Sequence, residues 1–222
     1  MPYLRDRVIV LKKEPYREQD RRYVMYGKEH GLLVAVARGS SVRTSKQAGH
    51  LEPFSESEVM IAKGSAFDKL AVARLIRAPQ GLRLGGYAIC GGVADLVLRF
   101  IHPGIADDRV FDILSDVVRT SETMAADPSP ERARLLWSAS ALRLLDTLGF
   151  APRIERSGEG TTPVPSLALA AFMRRSPLAD VLRVTGTTDV FDAASAFVDE
   201  ALRLTHLERP AHGPQTVYSL LA

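Results

Sequence analysis

The first 78 residues alternate between short apolar runs and turn-rich segments, which is the pattern of β-strands. Within the runs, β-branched or alternating apolar residues recur at the two-residue period of a half-buried strand. Segments rich in turn-forming residues, such as 27–31 and 64–68, separate the runs. The pattern predicts five strands, at residues 7–12, 22–26, 32–38, 58–63 and 69–76.

Five short strands in so small a space favour a closed barrel, because closure leaves no strand edge open for aggregation. The longest irregular stretch, residues 39–53, lies between the third and fourth predicted strands. An irregular segment of about 15 residues inside a compact domain is more often functional or mobile than idle. We therefore treat this loop as a candidate binding element.

Beyond Pro79 the apolar spacing changes to that of amphipathic helices. Residues 110–118 and 190–202 each carry apolar side chains three and four positions apart, which predicts one helix in each segment. Ser129 followed by Pro130 predicts the N-cap and first turn of a further helix.

The helix that begins after Ser129 is apolar on two sides, which predicts a central position in a bundle, and Gly149 is its expected C-terminal end. An exposed loop is expected at 151–165, where Gly and Pro interrupt the helical pattern. The fold class predicted is α+β, with a five-stranded barrel at residues 1–79 followed by an all-helical domain at 80–222.

Charge is divided unevenly along the chain, although the net charge is only +3. Residues 1–83 carry 16 lysines and arginines against 9 acidic residues, whereas residues 84–222 carry 13 against 17. This asymmetry favours a polyanionic partner such as nucleic acid for the N-terminal part and a different task for the rest. The alternative is that the basic surface serves only solubility.

The sequence indicates a cytoplasmic protein with no membrane partner. No apolar run reaches the roughly 18 to 20 residues that a membrane span needs, and the first residues lack the apolar core of a signal peptide. A single cysteine, Cys90, excludes an internal disulfide and fits a reducing compartment.

Catalytic motifs are missing from the sequence, so we expect no catalytic residue, no metal and no cofactor. The five histidines show no metal-ligand spacing, and no glycine-rich segment is followed by the Lys-Ser or Lys-Thr of a nucleotide-binding loop. Cys90 lies in an apolar, glycine-rich context without an adjacent cation. An enzyme that uses Cys90 stays as an alternative, with His102 or His206 as the neighbouring base it would need.

Particular residues of the barrel region suggest a family. Segment 16–21, the His30-Gly31 pair that opens the third strand, and segments 36–39, 45–46 and 48–54 follow one another in an order and spacing that resemble the N-terminal OB-fold of RecO proteins. The resemblance extends over about residues 4–77 and is weaker in the helical part, where only 145–152 is similar.

The resemblance implies a non-enzymatic DNA repair and recombination mediator of the cytoplasmic nucleoid. Such a protein binds single- and double-stranded DNA and anneals complementary strands. It works with RecR and the C-terminal tail of the single-stranded-DNA-binding protein to load the RecA recombinase. Many members carry a four-cysteine zinc site after the segment that matches 145–152, and this chain has no cysteine there.

The candidate DNA-binding residues are all basic and lie near two loops of the barrel. The first group is at the end of the third strand and in the loop that follows it; the second is placed in the first connecting loop, where Glu18 and Asp20 are available to neutralise part of the charge. Their side chains suit phosphate contacts, which carry no sequence information. The candidates are Arg38, Arg43 and Lys46, then Arg17, Arg21 and Arg22.

Aromatic residues of the barrel are expected to be core residues, with Tyr16 as the exposed one because it lies in a charged loop. Binding should therefore act mainly through the DNA backbone.

In the helical domain, several arginines accompany apolar helix faces, either as the rim of a pocket for the partner's acidic tail or as ordinary solvated surface. A different class of function, an RNA-binding or regulatory OB-fold protein with a helical dimerisation domain, stays as the alternative.

Overall fold

The structure, a computed structural model, describes residues 3–40, 48–124, 129–152, 154 and 164–205. They divide into two compact units. The barrel unit comprises Met1–Gln80 and Ile101–Ser115, and the helical unit comprises Gly81–Phe100 and the residues from Asp116 onward. The predicted division into domains at residues 1–79 and 80–222 stays a prediction.

Five strands form a closed barrel in the order β1-β2-β3-β5-β4. The order confirms the predicted five-stranded barrel and is the connectivity of an OB-fold. A short 3-10 turn, Ala48–His50, precedes the fourth strand. The strands are β1 (Tyr3–Tyr16), β2 (Asp20–Gly27), β3 (Gly31–Ala37), β4 (Glu56–Ala62) and β5 (Lys69–Arg77).

Strand β1 is longer than the pattern predicted because it serves two partners. Its first half pairs with β4, from Tyr3 opposite Ala62 to Ile9 opposite Glu56. Its second half pairs with β2, ending where Tyr16 lies opposite Asp20, after a register shift between Val10 and Lys12. Charged residues at both ends of β1 interrupt the apolar pattern, so the pattern predicted a shorter strand.

Alternate residues of the strands fill the barrel interior, as the two-residue period of a strand requires. On β2 and β3 the inward residues are the odd-numbered ones, so their even-numbered neighbours point outward. The interior cluster consists of Val8, Val10, Tyr23, Met25, Leu33, Ala35, Ala37, Leu51, Val59, Ile61 and Leu70.

The helical unit is built around α3, which contacts α1, α4, α5 and α6. Its central position confirms the expectation from its two apolar sides, since Leu136, Trp137 and Leu142 are all fully buried. The helices of the chain are α1 (Leu84–Phe100), α2 (Asp108–Thr123), α3 (Pro130–Thr147), α4 (Val164–Arg175), α5 (Leu178–Val181) and α6 (Thr188–Leu204), and α2 up to Ser115 belongs to the barrel unit.

Both ends of α3 follow the sequence prediction. The Ser129 hydroxyl accepts a hydrogen bond from the Arg132 backbone N–H at 3.2 Å, and Pro130 occupies the first turn. At the other end Gly149 adopts a left-handed φ of 81°, and the N–H of Phe150 donates to the Leu145 carbonyl at 2.7 Å. Most of the predicted loop at 151–165 lies outside the described residues.

Candidate nucleic-acid interface

Three segments of the barrel unit meet at one place. The N–H of Gly39, just after β3, donates to Asp20 at the start of β2 over 3.0 Å. The N–H of Val36 donates to the carbonyl of Asp68 at 2.9 Å, which joins β3 to the β4–β5 loop. We call residues 16–21, 36–39 and 63–69 the loop junction. In OB-folds the β1–β2 and β4–β5 loops border the nucleic-acid surface.

Three of the predicted DNA-binding residues lie at the loop junction. Arg38 is exposed immediately after β3, and Arg17 is exposed in the β1–β2 turn with a left-handed φ of 58°. Arg21 is partly buried on β2, opposite Pro15 and Ala37. No carboxylate among the described residues forms an ion pair with any of the three arginines. Their charges are therefore available to a ligand.

Arg22 behaves differently from its neighbour Arg21. Its guanidinium donates two hydrogen bonds to Glu14 on β1, at 2.5 and 2.8 Å. Placing Arg21 and Arg22 in the first connecting loop was wrong, because the turn is only residues 17–19 and both arginines belong to β2. The acidic partner of Arg22 is Glu14, not the Glu18 or Asp20 that the sequence suggested.

Arg43 and Lys46, the other two predicted phosphate ligands, lie outside the described residues. Their assignment stays a prediction. The segment that follows them is anchored to the barrel: Leu51 is fully buried in the interior, and the Leu75 N–H donates to His50 Nδ1 at 3.2 Å.

The β4–β5 loop contributes an aromatic residue that sequence reasoning missed. Phe67 is partly exposed, and its ring centroid lies 6.2 Å from that of Tyr16, which is itself only partly exposed rather than fully so. The other barrel aromatics considered, Tyr23, Tyr26 and Phe54, are buried as expected. The sequence did hold one signal that could have identified Phe67. It is a phenylalanine within a turn of Gly, Ser and Asp residues, outside the apolar pattern of any strand.

The β2–β3 face, the other usual ligand surface of an OB-fold, is largely covered. The outward residues Val24, Tyr26 and Leu32 are all at least nine-tenths buried. The Tyr26 hydroxyl donates to the Asp107 carbonyl at 3.1 Å and accepts from the Asp107 N–H at 3.2 Å. Burial raises the pKa of Tyr26 above its usual value. The chain's own segment at 101–107 therefore occupies part of this surface, and the loop junction is the more accessible site.

The motif around His30 has a structural explanation. The buried carboxylate of Asp6 accepts hydrogen bonds from the backbone N–H groups of Glu29 and His30, at 3.2 and 3.0 Å, and lies 3.1 Å from the His30 ring. A Cβ at Gly27 would lie 2.1 Å from that carboxylate. These residues fix the β2–β3 turn, and with it the register that places Arg21 and Arg38.

Comparison with known proteins agrees with this geometry. Residues 1–79 match the family described as Recombination protein O N terminal. The DNA repair protein RecO of Rubrobacter xylanophilus is 29% identical over 167 residues, which are 74% of this chain and 65% of that protein. Residues 1–79, the N-terminal part of the chain, therefore belong to the RecO N-terminal family.

Other RecO relatives show how far the similarity extends. The protein of Pelotomaculum thermopropionicum is 30% identical over 67% of this chain and 56% of its own length. That of Bifidobacterium longum subsp. infantis is 25% identical over 93% of this chain and 84% of its own length. In the Rubrobacter and Pelotomaculum alignments this chain spans less than two thirds of the relative.

The helical unit pairs several arginines with acidic residues. Arg134 contacts Asp192, Arg174 contacts Asp146, and Arg183 contacts Asp180. Arg143 is half-buried and donates to the Met173 carbonyl at 3.0 Å, and burial lowers the pKa of its guanidinium. Arg132 and Arg175 of the same unit are both exposed.

An apolar pocket lies between α4 and α6 in the same unit. Leu169 and Phe172 of α4 face Val190 and Phe191 of α6 across it, and residues 184–186 close one side. Phe172 is 40% exposed, which is unusual for so large an apolar side chain.

Three further observations concern Cys90, metal binding and membrane spans. Cys90 is buried, with its thiol 3.6 Å from the Ser121 hydroxyl, and burial raises the pKa of the Cys90 thiol to about 12. Within the described residues, His, Cys, Asp and Glu side chains form no cluster suited to a metal ion. In the same part of the chain, no helix combines the length and apolarity needed to cross a membrane.

Proposed function

We propose that this chain is a non-enzymatic mediator of DNA repair and recombination. In this proposal it binds single- and double-stranded DNA, anneals complementary strands, and helps load the RecA recombinase onto DNA coated by the single-stranded-DNA-binding protein. It works with RecR and acts in the cytoplasmic nucleoid, where its DNA substrate lies. The name shared by its relatives, DNA repair protein RecO, supports the repair role.

The loop junction is the observation that carries the proposal. Arg17, Arg21 and Arg38 converge there from three different strand ends, and no described carboxylate pairs with them. Because guanidinium contacts to phosphate dominate affinity for nucleic acid and are independent of base identity, such a site suits binding of any sequence. A mediator that anneals whatever strands it meets needs that tolerance.

The helical unit suits protein partners better than DNA. The residues from 84 onward carry more acidic than basic side chains, which disfavours a second main site for a polyanion. The pocket beside Phe172 offers an apolar surface for the hydrophobic end of the single-stranded-DNA-binding protein's tail. Catalysis has little support, since a fully buried thiol with a raised pKa is a poor nucleophile.

The test is an annealing assay on complementary strands that are first coated with the cognate single-stranded-DNA-binding protein. Spontaneous annealing is blocked on coated strands, so the proposal predicts that adding this protein restores duplex formation. A protein that binds naked strands but never accelerates annealing of coated ones would contradict the mediator role and favour an RNA-binding or regulatory OB-fold protein.

A further inference from the structure

Two aromatic rings and two cations form a compact group at the loop junction. Tyr16 and Phe67 meet edge to face, with ring centroids 6.2 Å apart and an interplanar angle of 60°. The Arg17 guanidinium carbon lies 5.4 Å from the Tyr16 ring centroid and 5.9 Å from that of Phe67. The Lys69 ammonium lies 5.8 Å from the Phe67 centroid.

The loop that carries Phe67 is held in place by its own residues. The Asp68 carboxylate accepts from the Lys63 ammonium at 2.7 Å and from the Gly64 N–H at 3.2 Å. A Cβ on Gly64 would come within 2.2 Å of the Phe67 carbonyl oxygen, so only glycine permits this tight turn. The aromatic ring is therefore presented from a pre-organised loop, which lowers the entropic cost of binding.

Core packing does not account for Phe67. The residue lies outside the barrel's interior cluster and keeps part of its surface exposed. A partly exposed phenylalanine gains only a fraction of the free energy of full burial. Nucleobases, in contrast, stack on aromatic side chains irrespective of sequence, and nearby cations attract the phosphates that join them.

We propose that Tyr16 and Phe67 form a stacking platform for unpaired bases, with Arg17 and Lys69 placed beside it for the adjoining phosphates. The inference rests on the proposed DNA binding and adds a base-dependent component, whereas the sequence alone indicated binding mainly through the backbone. Duplex DNA cannot use the platform, because its bases are already stacked on one another. The platform thus favours single strands without reading their sequence.

The test compares the full chain's affinity for a thymidine oligonucleotide and for an abasic oligonucleotide of the same length, by fluorescence anisotropy. Both carry the same phosphates, so only stacking separates them. We expect the wild type to bind the thymidine strand roughly 5- to 100-fold more tightly, from the usual strength of base stacking on one or two aromatic rings. Phe67→Leu should remove most of that ratio while leaving abasic binding within about twofold.

Phe150→Leu is the matched control. Phe150 is also a half-exposed aromatic, 5.4 Å from the ring of Phe100 in the helical unit, and no cation–ring contact accompanies it among the described contacts. Its replacement should leave both affinities unchanged. Circular dichroism of each variant establishes that it is folded.

A second variant gives a direct signal of stacking. The only native tryptophan, Trp137, is fully buried in the helical unit, so an indole introduced by Phe67→Trp would be the responsive fluorophore. Its emission should be quenched by the thymidine strand and much less by the abasic strand, whether or not Phe67→Leu folds.

The outcomes separate this inference from the proposed function. Equal wild-type affinity for the two strands, or an equal loss of both in Phe67→Leu, would overturn the stacking platform and leave DNA binding intact. Absence of binding to either strand would overturn the proposed function as well.

Discussion

Arg21 and Arg22 are neighbours in the chain, yet they lie on opposite faces of β2. Arg21 shares the face of the core residue Tyr23 at the edge of the interior, whereas Arg22 is directed outward and is paired with Glu14 at 2.5 Å. The sequence shows both charges equally. Which of them is available to a phosphate depends on strand register, since a shift of one residue exchanges the two faces.

Cys90 provides a prediction at the residue scale. Because burial raises the pKa of its thiol to about 12, only roughly one thiol in ten thousand is ionised at pH 8. An alkylating reagent such as iodoacetamide should therefore leave the native protein unmodified at pH 8 by mass spectrometry. Denaturant should expose the thiol and permit complete reaction.

DNA binding and annealing should be unaffected by the same treatment of the native protein. Rapid alkylation of the folded chain at pH 8, accompanied by loss of activity, would contradict this account. It would restore the alternative of an enzyme that uses Cys90.

At the scale of elements, the sequence predicted the helices that have an unambiguous apolar stripe or N-cap. Helices α2 and α6 follow their stripes, and the Ser129 cap begins α3 as expected. Helix α1 was not predicted, because its four glycines each cost about 1 kcal/mol relative to alanine in a helix. At Gly86 close packing explains the glycine, since a Cβ there would lie only 2.8 Å from Leu82.

Alanine substitutions at two glycines test the packing of segment 101–107 on the barrel. Gly31 and Gly39 both have left-handed φ angles, 65° and 60°. A Cβ on Gly31 would lie 2.1 Å from the Ile105 carbonyl oxygen, whereas one on Gly39 meets no described atom within 4 Å. Gly39→Ala should lower the free energy of unfolding by about 1 kcal/mol from backbone strain alone. Gly31→Ala should lower it by roughly 3 kcal/mol, because the segment must also move.

Denaturant unfolding of the two variants measures this difference. Gly39→Ala serves as the control, since it shares the strain but not the steric clash. Equal destabilisation of the two proteins would mean that segment 101–107 is not held against the β2–β3 turn in solution.

At the scale of the whole molecule, the candidate site exists only after the barrel closes. The β1–β2 turn, the end of β3 and the β4–β5 loop are separated by about 20 to 30 residues each, and the single Val36 to Lys69 pairing brings the last two together. Sequence patterns located the basic residues because charge is visible locally. They missed Phe67 and Lys69 because proximity across the closed barrel is not a local property.

The salt dependence of binding tests the central claim, that the loop junction binds DNA phosphates, most directly. The measurement is the affinity for a single-stranded oligonucleotide between about 50 and 200 mM salt, with each phosphate contact contributing roughly 0.7 to the slope of log affinity against log salt. The test variant is Arg21→Ala/Arg38→Ala. The control, Arg74→Ala/Arg183→Ala, removes two exposed arginines that are paired with Glu58 and Asp180.

The account predicts a slope about 1.4 units shallower in the test variant, with weaker binding to oligonucleotides of every sequence and an unchanged slope in the control. Thermal melting must show both variants folded. A folded Arg21→Ala/Arg38→Ala protein that keeps the wild-type affinity and slope, or a control that changes as much as the test variant, would contradict the assignment of the loop junction as the DNA-binding site.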